Sequence, residues 1–246
     1  MLRAVVFDLD DTLAVTDRDR AQLLEEATAT ADAPSISRSA YVETHREHLT
    51  TDSRTPIFAA LLEERARQEH ETDDGSPEKT ETTGSELAVD PEVLAMAYHE
   101  AITDALTPVP GVETMLERLG DTYRIGLLTN GPVRAQREKL AALGWESTFD
   151  VALVTGELEA GKPDDRAFAA VLAELDVTAD EAVYVGDDVD ADVGGATAAG
   201  IRAIHVLGPD TEPDSQAVAH VERDALATEL PEILTGLADH SPESDG

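Results

Sequence analysis

The segment Asp8-Leu9-Asp10-Asp11-Thr12 follows directly on the apolar run Leu2 to Phe7, so two carboxylates two positions apart emerge where a short buried strand would end. Residues i and i+2 of an extended chain point the same way, and in an open parallel sheet ligands bind in the crevice beyond the carboxyl ends of the strands. Asp8 and Asp10 are thereby placed to face one substrate, an arrangement suited to chemistry on phosphate. The pair alone carries little in so acidic a chain. With 26 Asp in 246 residues, roughly 2.7 Asp-x-Asp pairs arise by chance, against the four present at Asp8/Asp10, Asp17/Asp19, Asp188/Asp190 and Asp190/Asp192. The apolar run before Asp8, the Thr12 that follows and three segments downstream set the first pair apart.

The first of these segments is Thr129-Asn130-Gly131-Pro132, after the apolar Ile125 to Leu128. Pro132 fits the first turn of a helix, so Gly131 and its neighbours would present free backbone N–H groups at a positive helix end, a cradle for phosphate. The Thr129 hydroxyl and Asn130 amide would add donors, although a turn that merely caps a helix uses the same residues. The second segment is Gly161-Lys162-Pro163-Asp164-Asp165. Only three lysines occur, Lys79, Lys139 and Lys162, so a lysine falls at a given position about once in 80 tries, a low base rate for a motif. Pro163 and the two Asp are expected to open a helix running to Ala173, with Lys162 just outside it to meet a phosphoryl oxygen as a point charge. The third segment, Val185 to Asp192, carries Asp187, Asp188, Asp190 and Asp192, and Gly194-Gly195-Ala196 then begins a small-residue helix able to pack closely. Converging carboxylates repel each other unless a hard cation lies between them, and magnesium is the cation expected.

These segments need strands to carry them. Strand-like runs at Ala4 to Phe7, Tyr123 to Leu128, Val151 to Val154, Ala182 to Val185 and Ile201 to Val206 alternate with helical stretches from Pro110 onward. That alternation predicts an α/β fold with a doubly wound parallel sheet. Residues 16–106 interrupt it with Arg18 to Ala33, Ser37 to Leu49, Pro56 to Glu69 and Pro91 to Leu106, which read as helices by apolar spacing and by their Ser, Thr or Asp starts. The expected organisation is a core of residues 1–15 and 107–246 with an inserted all-helical cap at 16–106. Within the cap, residues 71–85 contain no aromatic or branched aliphatic side chain, which predicts a flexible loop.

Charge and composition narrow the partners. A net charge of −34, from 52 acidic against 18 basic residues, argues against nucleic acid or an anionic membrane as partner. An acidic, lysine-poor composition resembles proteins adapted to high internal salt and predicts a halophilic source. At ~1 M salt the Debye length is about 3 Å, so self-repulsion is screened and an anionic small molecule is not repelled at long range. The fold is expected to loosen in dilute buffer; a melting temperature equal in molar and millimolar salt would contradict this. The absence of cysteine excludes disulfides, thiolate metal sites and cysteine nucleophiles. No leader pattern or membrane-length apolar stretch is evident, which predicts a cytoplasmic protein. Oligomeric state is not legible.

In order and spacing, the DLDDT, TNG, GKP and GD-xxxx-D segments resemble the haloacid dehalogenase-like superfamily, and the helical insertion after the first of them is similar to that of its members with a type 1 cap. The resemblance covers essentially the whole chain. It implies an enzyme acting on a small phosphorylated metabolite, with Asp8 as nucleophile forming an aspartyl phosphate and Asp10 as proton donor and then base. It further implies that Asp8, the Asp10 carbonyl and Asp187 hold magnesium with Asp192 in support, and that Thr129, Asn130, Gly131 and Lys162 position the phosphoryl group. Carbon–halogen hydrolysis in the superfamily needs no acid at residue 10, so Asp10 speaks for phosphate ester hydrolysis. Phosphonate cleavage uses a cap lysine, and the only lysine between residues 16 and 106 is Lys79, inside the 71–85 segment. A phosphomutase would share all four segments, and a non-catalytic acidic binding protein is the alternative from another class. Tyr41, His45, Arg46, His48, Arg54 and Tyr98 are the cap residues that offer candidate substrate contacts, each type being more often a surface or core residue, and Trp145 and Phe149 are expected to pack under the sheet.

Overall fold

The structure is a computed structural model that describes residues 1–72 and 89–239. The 71–85 segment expected to be a loop lies, beyond its first two residues, outside them. In chain order the elements are β1 (Ala4–Phe7), β2 (Ala14–Thr16), α1 (Arg20–Thr30), α2 (Arg38–Arg46), α3 (Thr55–Thr72), α4 (Pro91–Ala105), β3 (Leu106–Pro108), α5 (Val112–Gly120), β4 (Arg124–Thr129) and α6 (Val133–Leu143). There follow β5 (Val151–Val154), α7 (Asp165–Glu174), β6 (Ala182–Gly186), a wide π turn (Val189–Gly194), α8 (Gly195–Ala198), β7 (Arg202–Leu207), β8 (Ala219–Glu222) and α9 (Leu226–Asp239).

Six strands form one parallel sheet in the order β5-β4-β1-β6-β7-β8. β1 is central, with Phe7 level with Leu127 of β4 and Val185 of β6. The residues that follow these three strands therefore leave the same edge of the sheet together. The chain order reverses about β1, which is where a doubly wound sheet opens its ligand crevice. Both faces are covered. Val5 and Phe7 pack with Leu116, Leu127, Trp145 and Leu230 on one side, while Ala4 and Val6 pack with Phe168, Val171 and Tyr184 on the other. The alternation is the two-residue period of a pleated strand, and it buries β1 completely. Trp145 is buried and Phe149 packs against the first of these clusters, as expected.

Helices α1 to α4 enclose a third apolar cluster of their own, with Leu23, Tyr41, Phe58, Leu94, Tyr98 and Ile102 at its heart. Side-chain oxygens cap the helices as the Asp and Ser starts imply: Asp19 accepts from Ala21 N, Ser37 from Ala40 N and Asp90 from Glu92 N. Two features were not legible as strands. β2 and β3 pair antiparallel, Val15 opposite Thr107, at the two points where the chain leaves and re-enters the sheet-bearing part. β8 closes one edge of the sheet with Val221 as its single buried residue. At three or four residues each, none of these offers a hydrophobic period to read. Among the described residues no helix is long and apolar enough to cross a membrane.

Candidate active site

Asp8 leaves β1, Asn130 leaves β4 and Asp187 leaves β6, so the three switch-point strands deliver one chemical group each. Lys162 stands before α7 and reaches them from the side. Its ammonium donates to Asp8 Oδ1 at 2.7 Å, to Asp192 Oδ1 at 2.7 Å and to the Tyr184 hydroxyl at 2.8 Å. Asn130 holds the lysine's backbone by two bonds: its Oδ1 accepts from Lys162 N and its Nδ2 donates to Lys162 O, each at 2.9 Å. Asp164, rather than Pro163, caps α7 by accepting from Arg166 N.

The acidic loop after β6 separates by role. Asp187 and Asp192 turn inward, Asp190 is exposed, and Asp188 caps the π turn by accepting from Asp190 N and Ala191 N. This π turn leads into the small-residue helix expected from Gly194, which is the short α8 beginning at Gly195. Asp192 comes so close to the strand end that a Cβ at Gly186 would lie 2.4 Å from its Oδ2. Only glycine at 186 admits that carboxylate. Asp187 accepts from the Thr12 hydroxyl at 3.2 Å, which gives the Thr of the first motif its purpose.

Ligand oxygens of Asp8, Asp187 and Asp192 lie within 4.8 Å of one another. Burial, opposed by Lys162 and reinforced by Asp192, pushes the Asp8 carboxyl up to about 7. Burial together with Asp192 and Asp8 raises that of Asp187 well above the usual range. Against burial, Asp192 and Asp8 hold Lys162 charged well beyond an ordinary lysine. One ammonium thus faces three inward acids, and Asp187 has no basic partner among the described residues. Crowded hard oxygen donors with a deficit of positive charge are what a magnesium ion requires, so the donor set fits that cation.

Asp10 is held apart from this cluster. Lys139 Nζ donates to both of its oxygens at 2.6 Å, Arg20 Nη2 to Oδ1 at 2.8 Å and Gln136 Nε2 to Oδ2 at 2.9 Å. Although burial opposes it, Lys139 and Arg20 keep the carboxyl well below its usual range, and burial brings Lys139 itself down to about 8. Lys139, Gln136 and Arg20 escaped the sequence reading. The rarity that singled out Lys162 applies equally to Lys139, which lies ten residues after Thr129. Replacing Lys139 with Met removes the main counter-charge of Asp10 while Arg20 remains. The expected loss is about 1–3 kcal/mol, less than for breaking a buried pair outright, measured as a lower melting temperature in molar potassium chloride. An unchanged melting temperature would show that the bridge contributes nothing.

Asp8, Asp10, Thr129, Asn130, Gly131, Lys162, Asp187 and Asp192 line a single cavity of 490 Å³. The predicted phosphate cradle needs one correction. Pro132 precedes α6 as its N-cap, and the N–H groups there are not free: Gly131 N donates to Thr155 Oγ1, Val133 N to Thr51 O and Arg134 N to Asp52 O. The 51–52 segment docks on the helix start and takes its donors. The Thr129 hydroxyl accepts from Gln136, which leaves its own proton to give. Of the cap candidates, Tyr41, His45, Arg46, Arg54 and Tyr98 reach the cavity, whereas His48 does not and its Nδ1 meets Thr44 O.

The chain is similar to known proteins. Ribulose-1,5-bisphosphate 5-phosphatase of Halopiger xanaduensis is 31% identical over 255 residues, spanning 100% of this chain and 97% of the relative. Glyceraldehyde 3-phosphate phosphatase of Methanopyrus kandleri is 29% identical over 212 residues, 84% of each chain. A HAD phosphatase from Thermococcus onnurineus shares the fold with a TM-score of 0.66 at 24% identity, covering 96% of this chain and 99% of its own. The family model of haloacid dehalogenase-like hydrolases matches residues 2–200, and with the four motifs meeting in one cavity on a six-stranded parallel sheet, the chain belongs to that family.

Proposed function

We propose that the chain is a magnesium-dependent phosphatase that hydrolyses a small phosphate monoester through an aspartyl phosphate on Asp8, with residues 16–106 acting as its cap. The observation that carries this reading is the meeting of Asp8, Asp187 and Asp192 beside the buried Lys162 ammonium at the open edge of the sheet. The phosphatase names of the relatives spanning most of this chain support it.

Asp8, the Asp10 carbonyl and Asp187 would hold the ion, with Asp192 fixing Lys162 beside them. Bound there, magnesium neutralises charge on the carboxylates and phosphoryl oxygens. Asp8 Oδ attacks phosphorus, the bond from phosphorus to the ester oxygen breaks, and Asp10 gives that oxygen its proton. Water then attacks the aspartyl phosphate as Asp10 takes a proton back, releasing phosphate and restoring Asp8. Lys162 and Thr129 steady the phosphoryl oxygens, since phosphoryl transfer relies chiefly on positioning and charge compensation. Asp10 works only once it exchanges the Lys139 and Arg20 contacts, which keep it ionised, for the ester oxygen and takes up from solvent the proton that it then gives.

The test is hydrolysis of p-nitrophenyl phosphate in molar potassium chloride after chelation. Activity is expected to be absent in chelator and restored by millimolar magnesium, with a higher melting temperature as the ion binds the folded state. Turnover that persists undiminished in chelator would refute the metal dependence. Absence of turnover with magnesium on this ester and on a panel of phosphometabolites would refute the phosphatase reading.

A further inference from the structure

The wall of the cavity contributed by residues 16–106 is basic in a chain that is overwhelmingly acidic. It presents Arg20, Arg38, His45, Arg46 and Arg54, and no Asp or Glu; every carboxylate in the lining comes from the sheet-bearing part. With 52 acidic residues against 18 basic ones, chance would favour the reverse.

Arg54 is the most telling of these. It is 7% exposed, the most buried arginine among the described residues, yet no carboxylate pairs with it there. Its Nε donates to the Tyr41 hydroxyl at 3.2 Å, its Nη1 meets His99 Nδ1 at 3.3 Å, and its guanidinium stands 5.5 Å from the Tyr98 ring centre. None of the three is a carboxylate; the nearest acid in this chain of contacts is Glu138, which meets the far nitrogen of His99. Arg38, over the Tyr41 ring at 5.7 Å, likewise has no acidic partner among the described residues. By contrast, Arg3, Arg18, Arg134, Arg137 and Arg166 each pair with an acid at the surface. A desolvated guanidinium is costly unless an anion meets it. A second, independent sign is Arg20 Nε, a buried donor in the same lining with no hydrogen-bond partner. His45, on the same wall, is pushed down to about 3 by burial and then by Arg54 and Lys139. It stays neutral and leaves the positive charge to the arginines.

We infer that Arg54, with Arg38 and the Tyr41 hydroxyl, forms a subsite for a second anionic group on the substrate, a carboxylate or a second phosphate at the end opposite the phosphoryl group under attack. The substrate class is thus a small organic phosphate with an anion at each end. Arginine suits either anion, because its planar fork matches both. The inference rests on the phosphatase reading for which end is cleaved, and on the cavity alone for the binding of the other.

The experiment compares matched esters in molar potassium chloride with magnesium: glycerol 3-phosphate against 3-phosphoglycerate, and propane-1,3-diol monophosphate against its bisphosphate. In the wild type kcat/KM is expected to be at least tenfold higher for the member with the second anion in one or both pairs. The pair that shows it identifies carboxylate or phosphate as the preferred group. In Arg54→Gln that ratio is expected to collapse at least tenfold, and in Arg38→Gln to fall by a smaller factor. Because the ratio is taken within one protein, a variant that folds less well does not mimic the effect. Equal kcat/KM within both pairs in the wild type, or a ratio preserved in Arg54→Gln, would overturn the subsite. Calorimetric binding of 3-phosphoglycerate and of the bisphosphate to Asp8→Asn, with and without Arg54→Gln, separates the two readings. Arg54-dependent binding alongside a wild type that turns over nothing would uphold the subsite and defeat the phosphatase. Binding indifferent to Arg54 would defeat the subsite whatever the turnover.

Discussion

Asp8→Asn is expected to lower kcat for phosphate ester hydrolysis by at least 10⁴-fold, the scale seen when an enzyme loses its nucleophile, while leaving the protein folded. Asn is isosteric and can still accept from Lys162, but an amide oxygen cannot form the acyl phosphate. The stability change should have the opposite sign to that of most buried substitutions. Burial raises the Asp8 carboxyl from 3.8 to about 7 in the folded protein, so the unfolded chain releases its proton more readily. The ionised group therefore works against the fold, increasingly as pH rises from 3.8 through about 7 and fully above it. Below pH 3.8 the penalty vanishes. In metal-free protein at pH 8, Asp8→Asn is expected to melt at the same temperature as the wild type or higher, and at pH 4 the gain should be gone. Wild-type turnover by Asp8→Asn would remove Asp8 from the chemistry.

Lys162→Met is the second large effect and runs the other way in stability. Lys162 is 2% exposed and lies between two buried carboxylates. Removing it leaves Asp8 and Asp192 facing each other with no cation, and breaking a buried ion pair in this way costs about 3–5 kcal/mol. Part of that is relieved as one carboxyl takes up a proton, and that same proton would disable Asp8. Loss of the charge on the phosphoryl group should lower kcat by about 10²–10³, the scale for removing one preorganised donor. Arginine is not expected to rescue it, because a planar guanidinium cannot direct three bonds to Asp8, Asp192 and Tyr184 from one nitrogen. Kinetics and chemical denaturation of Lys162→Met and Lys162→Arg check both statements. Unaltered kcat in Lys162→Arg would contradict the three-way geometry.

The parts of this molecule that could be read from sequence are those where several residues had to agree. β1, β5 and the helices of the 16–106 insertion have apolar runs and capping residues that point to one conformation, and their observed bounds differ from expectation by a few residues at most. Asp8, Asn130 and Asp187 were legible because each follows a strand, and three neighbouring strands must bring their successors together, whereas Lys162 stood out by the rarity of lysine. What escaped notice depends on long-range geometry. Lys139 and Gln136 read as ordinary residues of a polar helix until the sheet places that helix over Asp10. Tyr184 reads as one more core residue of β6, and nothing local shows its hydroxyl turned to Lys162 and Leu128 O. The N–H groups at the start of α6 would be free in an isolated helix, and the docked carbonyls of Thr51 and Asp52 use them. The basic character of the cavity wall contributed by residues 16–106 was invisible for a different reason. Five basic residues dispersed between positions 20 and 54 acquire a common direction only when α1, α2 and α3 pack around the cluster that holds Tyr41 and Tyr98.

The Asp8 carboxylate itself is expected to receive the phosphoryl group. An acyl phosphate is reduced by borohydride to the alcohol, so enzyme quenched with borohydride during steady turnover of p-nitrophenyl phosphate with magnesium, then digested and sequenced by mass spectrometry, reports where the group resided. Homoserine is expected in place of aspartate at position 8, and only when substrate and magnesium are both present. Reduction at another carboxylate, or none at position 8 while phosphate is being released, would contradict it.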